Sequence, residues 1–354
     1  MILQDWNNYQ RRTMTRGMRW LELAVAPPGR DQLQLAPTPA ETNYRLNKIR
    51  LLHYPNPQRD PKLAVPLLLV PSIINRYYVL DLQPGRSMVA YLLQQGFDLW
   101  LVDWGKPTAE DRFDTFDDYI ELYLHRLVNR VRQETGAAQI SLLGYCIGGT
   151  FTAIYSALYP AGIANLINLA GPIDFSQGGI LCTWTRPDRF RPAAITNAYG
   201  NMPGWLMNSA FDGLLPANQI RQALTLWDRL DDDGRLQDYL GLRYWLTDEV
   251  DFPGAAYQKY IGDCYQGNLL VKGQMTIGSR PVNLADITAS LLSVTADGDY
   301  IAPAGAVLAL NQFASSPDKS ELKLQGGHIG IVTGRDARQK LWPALANWLT
   351  PRSQ

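Results

Sequence analysis

The sequence predicts an α/β protein with a mostly parallel central sheet and an inserted cap, and three observations carry that prediction. Short apolar runs such as Leu67-Leu68-Leu69-Val70 and Phe97-Asp98-Leu99-Trp100-Leu101-Val102 alternate with helical periods, as in a parallel sheet covered on both faces. The alternation stops near Gly171 and resumes near Ala289, and the interval is rich in proline, glycine and aromatic residues. Between these stands Gly144-Tyr145-Cys146-Ile147-Gly148-Gly149, a cysteine at the centre of a G-x-C-x-G turn joining an apolar run to a helical one.

Composition bounds the answer. A chain of 354 residues can bury a large core as one α/β domain with an insertion. Lysine plus arginine number 33 and aspartate plus glutamate 33, so no global field draws the chain to nucleic acid. Three scattered cysteines form no C-x-x-C pair or disulfide framework, which fits a reducing cytoplasm. Met1 to Trp6 is not a basic segment followed by an apolar signal core, and no apolar run is long enough to span a bilayer, so no transmembrane segment is expected.

In chain order, residues 1–42 read as a helical segment and connector. Trp6, Tyr9, Met14, Met18, Leu21 and Val25 recur at near-helical spacing with Arg11, Arg12, Arg16 and Arg19 between them. Such a basic amphipathic helix either packs on its own core or meets a partner subunit or apolar surface. Pro27-Pro28-Gly29 and Pro37-Thr38-Pro39 mark the connector. The first part of the core, 43–171, opens with a strand from Tyr44 to His53 ended by Pro55-Asn56-Pro57. A strand at Leu67 to Val70, a helix around Ser87 to Gln95 and a strand at Phe97 to Val102 follow. Thr115 can cap a long helix that reaches Glu134 and ends at Gly136. Gln139 to Leu143 is the strand before the cysteine turn, Thr150 onward its helix, and Ile163 to Ala170 the next strand.

Residues 172–284 read as a cap over the C-terminal strand edges, where open α/β sheets bind ligands. Its aromatics, Trp184, Tyr199, Trp205 and Trp227 among them, are read mainly as the cap's own core, and Asp231-Asp232-Asp233-Gly234 as a solvated turn. Residues 285–354 resume the core with a strand at Leu291 to Thr295, a helix from Pro303, a strand at Glu321 to Leu324 and a terminal helix from Arg335 to Leu349.

The chemistry follows from placement. A glycine-flanked nucleophile on a sharp strand-to-helix turn is the nucleophile elbow of the α/β-hydrolase fold, here with Cys146 in place of the usual serine. The glycines let the chain bend, and the helix N-terminus favours negative charge on the side chain. Cys182 and Cys264 lack such a turn and read as packing residues. Of three histidines, His53 and His125 fall in a strand and a helix, whereas His328 in Gly326-Gly327-His328-Ile329-Gly330 follows the last strand, where this fold carries its base. The acid belongs in the loop after the preceding strand, which offers Asp297 and Asp299. The oxyanion hole should use the backbone N–H of Ile147 and a second N–H near Ile73, with Ile74 the other choice. No metal cluster or phosphate loop is visible.

At these residues the chain resembles the polyhydroxyalkanoate synthases, cysteine-dependent enzymes of the α/β-hydrolase fold. The resemblance rests on the Gly144 to Gly149 elbow, on Pro71 through Asn75-Arg76-Tyr77-Tyr78-Val79-Leu80-Asp81-Leu82, on Asp103-Trp104, on Pro281-Val282-Asn283-Leu284-Ala285-Asp286-Ile287 and on Gly327-His328-Ile329. It selects Asp299 over Asp297, because the family's acid precedes an x-Ile/Leu-Val-Pro segment; many members have histidine next, where this chain has Tyr300.

The resemblance implies polymerisation of (R)-3-hydroxyacyl-CoA, with 3-hydroxybutyryl-CoA expected, through an acyl-cysteine on Cys146. CoA is then part of the substrate, and no cofactor is implied. The short chain is similar to the class III catalytic subunits that work with a second, noncatalytic subunit. That implies a homodimer or hetero-oligomer at the surface of a cytoplasmic polyester granule. Two alternatives remain open: a cysteine hydrolase of esters or lactones, which would yield free acid instead of polymer, and a noncatalytic granule scaffold, which would form no acyl-enzyme.

Overall fold

A computed structural model describes residues 2–56 and 63–354; Met1 and Pro57 lie outside the described residues. Eight strands form one sheet: β1 (Glu41–Leu46), β2 (Ile49–Tyr54), β3 (Leu67–Val70), β4 (Leu99–Asp103), β5 (Ile140–Tyr145), β6 (Ile163–Leu169), β7 (Ser290–Ala296) and β8 (Lys319–Leu324). Their order is β1-β2-β4-β3-β5-β6-β7-β8. The β1–β2 and β2–β4 pairs are antiparallel and all others parallel. This is the α/β-hydrolase fold that the apolar runs predict.

Burial follows position in the sheet. Every residue of β3, β4 and β5 is buried, as strands covered on both faces require, whereas the edge strand β8 alternates Lys319, Glu321 and Lys323 toward solvent. Helices α2 (Met88–Gln94), α3 (His125–Thr135), α4 (Ile147–Leu158) and α11 (Ala304–Phe313) pack around the sheet. Ser87 Oγ caps α2 by accepting from the Ala90 amide at 2.8 Å. The long helix predicted from Thr115 begins with a π-helical stretch, Asp118–Leu124, and continues as α3 to the left-handed Gly136 (φ 69°).

The expected single strand from Tyr44 to His53 is two strands. Asn47, at φ 55°, turns the chain back so that Leu46 pairs with Ile49, and the apolar alternation resumes on the return strand.

Between β6 and β7 the chain leaves the main sheet and forms α5 (Gly179–Trp184), α6 (Pro192–Tyr199), α7 (Gly204–Leu214), α8 (Ala217–Trp227), α9 (Asp233–Thr247) and α10 (Gly254–Lys259). A π-helical stretch, Tyr260–Gln266, prolongs α10. Trp184, Tyr199, Trp205 and Trp227 are exposed rather than part of a core of their own, while Leu214, Leu230 and Trp245 of the same segment are buried. The acidic run is an anchor and not merely a solvated turn. Asp232 caps α9, while Asp231 and Asp233 pair with Arg16 and Arg19 of the N-terminal helix α1 (Ile2–Val25).

Arg19 Nη1 also donates to the Leu230 carbonyl at 2.8 Å and Arg16 lies 3.9 Å from Asp228, so the contacts of α1 with this layer run through its arginines. Trp6 is 57% exposed, and Tyr9, Met14, Met18, Trp20, Leu21 and Val25 are exposed with it, so this helix does not bury its apolar side in the chain's own core. Among the described residues, no helix is long and apolar enough to cross a membrane.

Candidate active site

The elbow is dictated by contacts around its glycines. A side chain on Gly148 would run into the Val70 carbonyl, one on Gly144 into Thr152 and the Gly148 carbonyl, and one on Gly149 into Asn168. With that space kept clear, Cys146 sits between β5 and α4 at φ 57° and ψ −128°, a conformation costing a non-glycine residue about 1–3 kcal/mol. Its amide donates to the Leu169 carbonyl at 3.1 Å and its carbonyl accepts from Gly149 at 2.8 Å. Cys146 is 7% exposed.

Parallel register brings the other two groups into neighbouring loops. Ala296 pairs with Leu324 at the ends of β7 and β8, and the Gly298 amide donates to the Gly326 carbonyl at 2.8 Å. Asp299 and His328 then meet, with 2.7 Å between His328 Nδ1 and Asp299 Oδ2. The other carboxylate oxygen accepts the amides of Ile301 (2.9 Å) and Ala302 (2.8 Å), which fixes the carboxylate. The structure therefore distinguishes the two aspartates: Asp297 turns outward to Lys323 at 2.9 Å. Tyr300, next to the acid, is exposed.

His328 is 8% exposed, and its ring stacks on Tyr145, whose hydroxyl donates to the His328 carbonyl at 3.0 Å. Nε2 has no hydrogen-bond partner among the described residues, yet it feels Cys146. Burial works against a charged imidazole, but the charges of Cys146 and Asp299 outweigh it and hold the His328 pKa well above its ordinary value. The raised pKa suits His328 to hold a proton on the ring nitrogen that is not committed to Asp299.

Val70 pairs with Gly144, so the turn after β3 lies beside the elbow. Ile147 heads α4, where an amide has no carbonyl one turn back. In the neighbouring turn, the Ile74 amide reaches Ser72 Oγ at 3.4 Å, while the Ile73 amide has no partner among the described residues. Among the described residues, the Ile147 and Ile73 amides are therefore both without a recorded backbone acceptor in the two adjoining turns.

The remaining histidines are held elsewhere. His53 lies 2.9 Å from Asp98 and stacks on Trp100. His125 bonds Tyr155 and Asn129 and stacks on Tyr159; burial, helped by Arg280, pushes its pKa down. Cys182 and Cys264 are free thiols, and burial pushes Cys264 up. Among the described residues, no group of three or more His, Cys, Asp or Glu is placed to hold a metal ion.

Two residues that spacing did not single out stand close to the nucleophile. Burial pushes the phenols of Tyr260 and Tyr265 up, and Cys146 is among the charges acting on both. Their rings stack edge to face with each other and with Phe175 in one aromatic cluster. Only their aromatic character was visible in the sequence.

Comparison with known proteins agrees with the fold. The family model described as the alpha/beta hydrolase fold matches residues 65–334, and the one described as the N-terminus of poly-beta-hydroxybutyrate polymerase (PhaC) matches residues 31–92. A hydrolase of Pseudomonas aeruginosa superposes with a TM-score of 0.55 at 15% identity, covering 88% of this chain and 98% of that one. A monoacylglycerol lipase of Paleococcus ferrophilus gives 0.53 at 15%, covering 81% and 96%. Both likenesses speak to the fold.

Among curated relatives, the poly(3-hydroxyalkanoate) polymerase subunit PhaC of Allochromatium vinosum is 37% identical over 89% of this chain and 89% of its own length. That of Synechocystis sp. is 34% identical over 91% and 87%, and that of Haloferax mediterranei 34% over 91% and 66%. By identity across nearly the whole chain, it belongs to the poly(3-hydroxyalkanoate) polymerase family of acyltransferases.

Proposed function

We propose that this chain polymerises (R)-3-hydroxyacyl-CoA, with 3-hydroxybutyryl-CoA the expected substrate, releasing CoA through an acyl intermediate on Cys146. The observation that carries this reading is a cysteine, not a serine, at an elbow served by His328 and Asp299. The Cys146 thiolate attacks the thioester carbonyl, and the amides of Ile147 and Ile73 receive the oxyanion. His328 Nε2 returns its proton to the departing CoA sulfur. One thioester has replaced another, so the acyl group keeps its transfer potential, which a serine oxoester would forfeit. The hydroxyl of a second hydroxyacyl unit then attacks the acyl-cysteine, His328 takes its proton, and an oxoester forms as the Cys146 thiolate is released. Water competes for the same acyl group, and the aromatic cluster of Tyr260, Tyr265 and Phe175 favours chain growth over hydrolysis.

The relatives are named as subunits, which supports a second, noncatalytic subunit in a hetero-oligomer, with a homodimer the simpler assembly. The exposed apolar residues of α1 are consistent with such a partner or with the surface of a cytoplasmic polyester granule. The test is mass spectrometry after brief exposure to 3-hydroxybutyryl-CoA, beside a polymer assay. An adduct should appear on Cys146 alone, and Cys146→Ala should abolish both adduct and polymer while remaining folded. Turnover through an adduct on Cys182 or Cys264, or free acid as the sole product, would overturn the reading.

A further inference from the structure

A cavity of about 400 Å³ opens at the same sheet edge as the elbow. Because β2 runs antiparallel to β4, with Arg50 opposite Asp103, the turn between β1 and β2 lies at the C-terminal end of β4. That turn and its strands bring Arg45, Lys48 and Arg50 to the cavity; Arg30, Arg76 and Lys106 complete its cationic lining. Another cavity, of about 480 Å³, is lined by Gln139, Asn165 and Ser290 at the opposite strand edge, away from Cys146.

The charges do not cancel within the chain. Lys48 is spent on Asp111 (2.9 Å) and Asp114, Arg50 holds Asp103 Oδ2 at 2.6 and 2.9 Å, and Lys106 pairs with Asp248. Four carboxylates thus meet six cations. Arg30 lies over the Tyr78 ring at 5.3 Å, and neither it nor Arg45 has a carboxylate partner among the described residues.

Arg76 is the sharper anomaly. Its side chain is 11% exposed, yet its guanidinium makes no hydrogen bond among the described residues, only two long ion pairs: 3.9 Å to Asp103 and 3.7 Å to Asp248. Its Nε–H is buried without an acceptor, which is costly unless a ligand supplies one. The surplus charge and the planar fork suit a phosphate, which arginine binds bidentately.

We propose that this cavity holds the phosphates of the CoA thioester, with Arg76 as the inner donor and Arg30, Arg45 and Lys106 at the rim. The inference rests on the thioester reading above. Arg76 lies three residues beyond Ile73, on the segment that supplies an oxyanion donor. Strand β4 stands two places from β5, about 10 Å at ordinary strand spacing, which an extended pantetheine arm spans. The phosphates would dock beside the oxyanion turn while the thioester reaches Cys146.

Calorimetric titration with CoA, inorganic pyrophosphate and pantetheine tests this without requiring turnover. The proteins compared are the wild type, Arg76→Gln and the double variant Arg30→Gln/Arg45→Gln. Loss of a charge-assisted hydrogen bond is expected to weaken CoA binding about tenfold in each variant, so that CoA loses much of its advantage over pantetheine. Pyrophosphate should compete with CoA for the wild-type site. Arg30 and Arg45 are exposed, so the double variant remains informative if a melting curve shows that Arg76→Gln is unfolded. Unchanged CoA affinity in the folded variants would overturn the proposal, as would pyrophosphate that binds through these arginines without displacing CoA, which would assign the cavity to a free anion. Binding that depends on these arginines in a chain that forms no acyl adduct would keep the subsite and sink the polymerase reading instead.

Discussion

At the level of single residues, the strongest electrostatic statement concerns His328, whose pKa lies above the 6.5 of a free imidazole because Cys146 and Asp299 outweigh burial. The sign has a consequence for stability. A raised folded-state pKa adds stability that is fully present below about 6.5 and is lost as pH climbs through the folded value. It also predicts the response to substitution. Cys146→Ala removes the larger of the two raising charges and Asp299→Asn the other, so NMR titration of the His328 ring should show its pKa falling in both variants. A titration unmoved by Cys146→Ala would mean that no thiolate faces Nε2. Cys146 and His328 were legible in the sequence because local glycine spacing and strand order mark them. Asp297 and Asp299 were not separable by spacing, since the choice depends on the amides of Ile301 and Ala302, which hold one carboxylate inward while Lys323 draws the other out. Arg76 and Tyr265 gave still less warning, because their significance comes from segments far away in the chain.

At the level of elements, the elbow reverses an ordinary rule. Replacing glycine by alanine inside an exposed helix usually stabilises it by about 1 kcal/mol. Gly17 of α1 has open space where a Cβ would go, and Gly17→Ala should follow that rule. Gly148 is also helical, but its Cβ would strike the Val70 carbonyl, which is fixed in the sheet by the pairing of β3 with β5. Gly148→Ala should therefore cost roughly 1–3 kcal/mol by overpacking. It should also cost most of the activity, since the shift separates Ile147 from the turn bearing Ile73. Urea unfolding of the two variants side by side checks this, and equal, mild stabilisation of both would show that the elbow is not tight. The element that sequence periodicity missed, the hairpin at Asn47, was hidden for a related reason. Apolar residues alternate on both sides of the turn, at Tyr44 and Leu46 and again at Ile49 and Leu51, and only the one-residue shift at Asn47-Lys48, with Asn47 left-handed, marks the reversal.

At the level of the whole molecule, access is the unsolved part of the chemistry. Cys146 and His328 are 7% and 8% exposed, so the proposed thioester and growing polyester need more room at the thiol than this arrangement offers. The interruption of the sheet pattern was plain in the sequence. The closure was not, because it depends on how Phe116, Phe175, Tyr260 and Tyr265 stack across segments far apart in the chain. The layer between β6 and β7 lies outside the main sheet and leaves several aromatics exposed, features of a region that opens more readily than the sheet. If turnover needs that opening, a partner that binds the open state better must raise activity by shifting its population, and the shift cannot exceed the partner's preference for that state. Hydrogen exchange should accordingly be faster in parts of residues 172–274 than in β3, β5 and β6, and it should change there when the second subunit is added. Activity should rise in the same preparation. Slow exchange throughout 172–274 that ignores the partner, together with full activity of the isolated chain without a lag, would rule out a gating cap and require a route to Cys146 through the closed form.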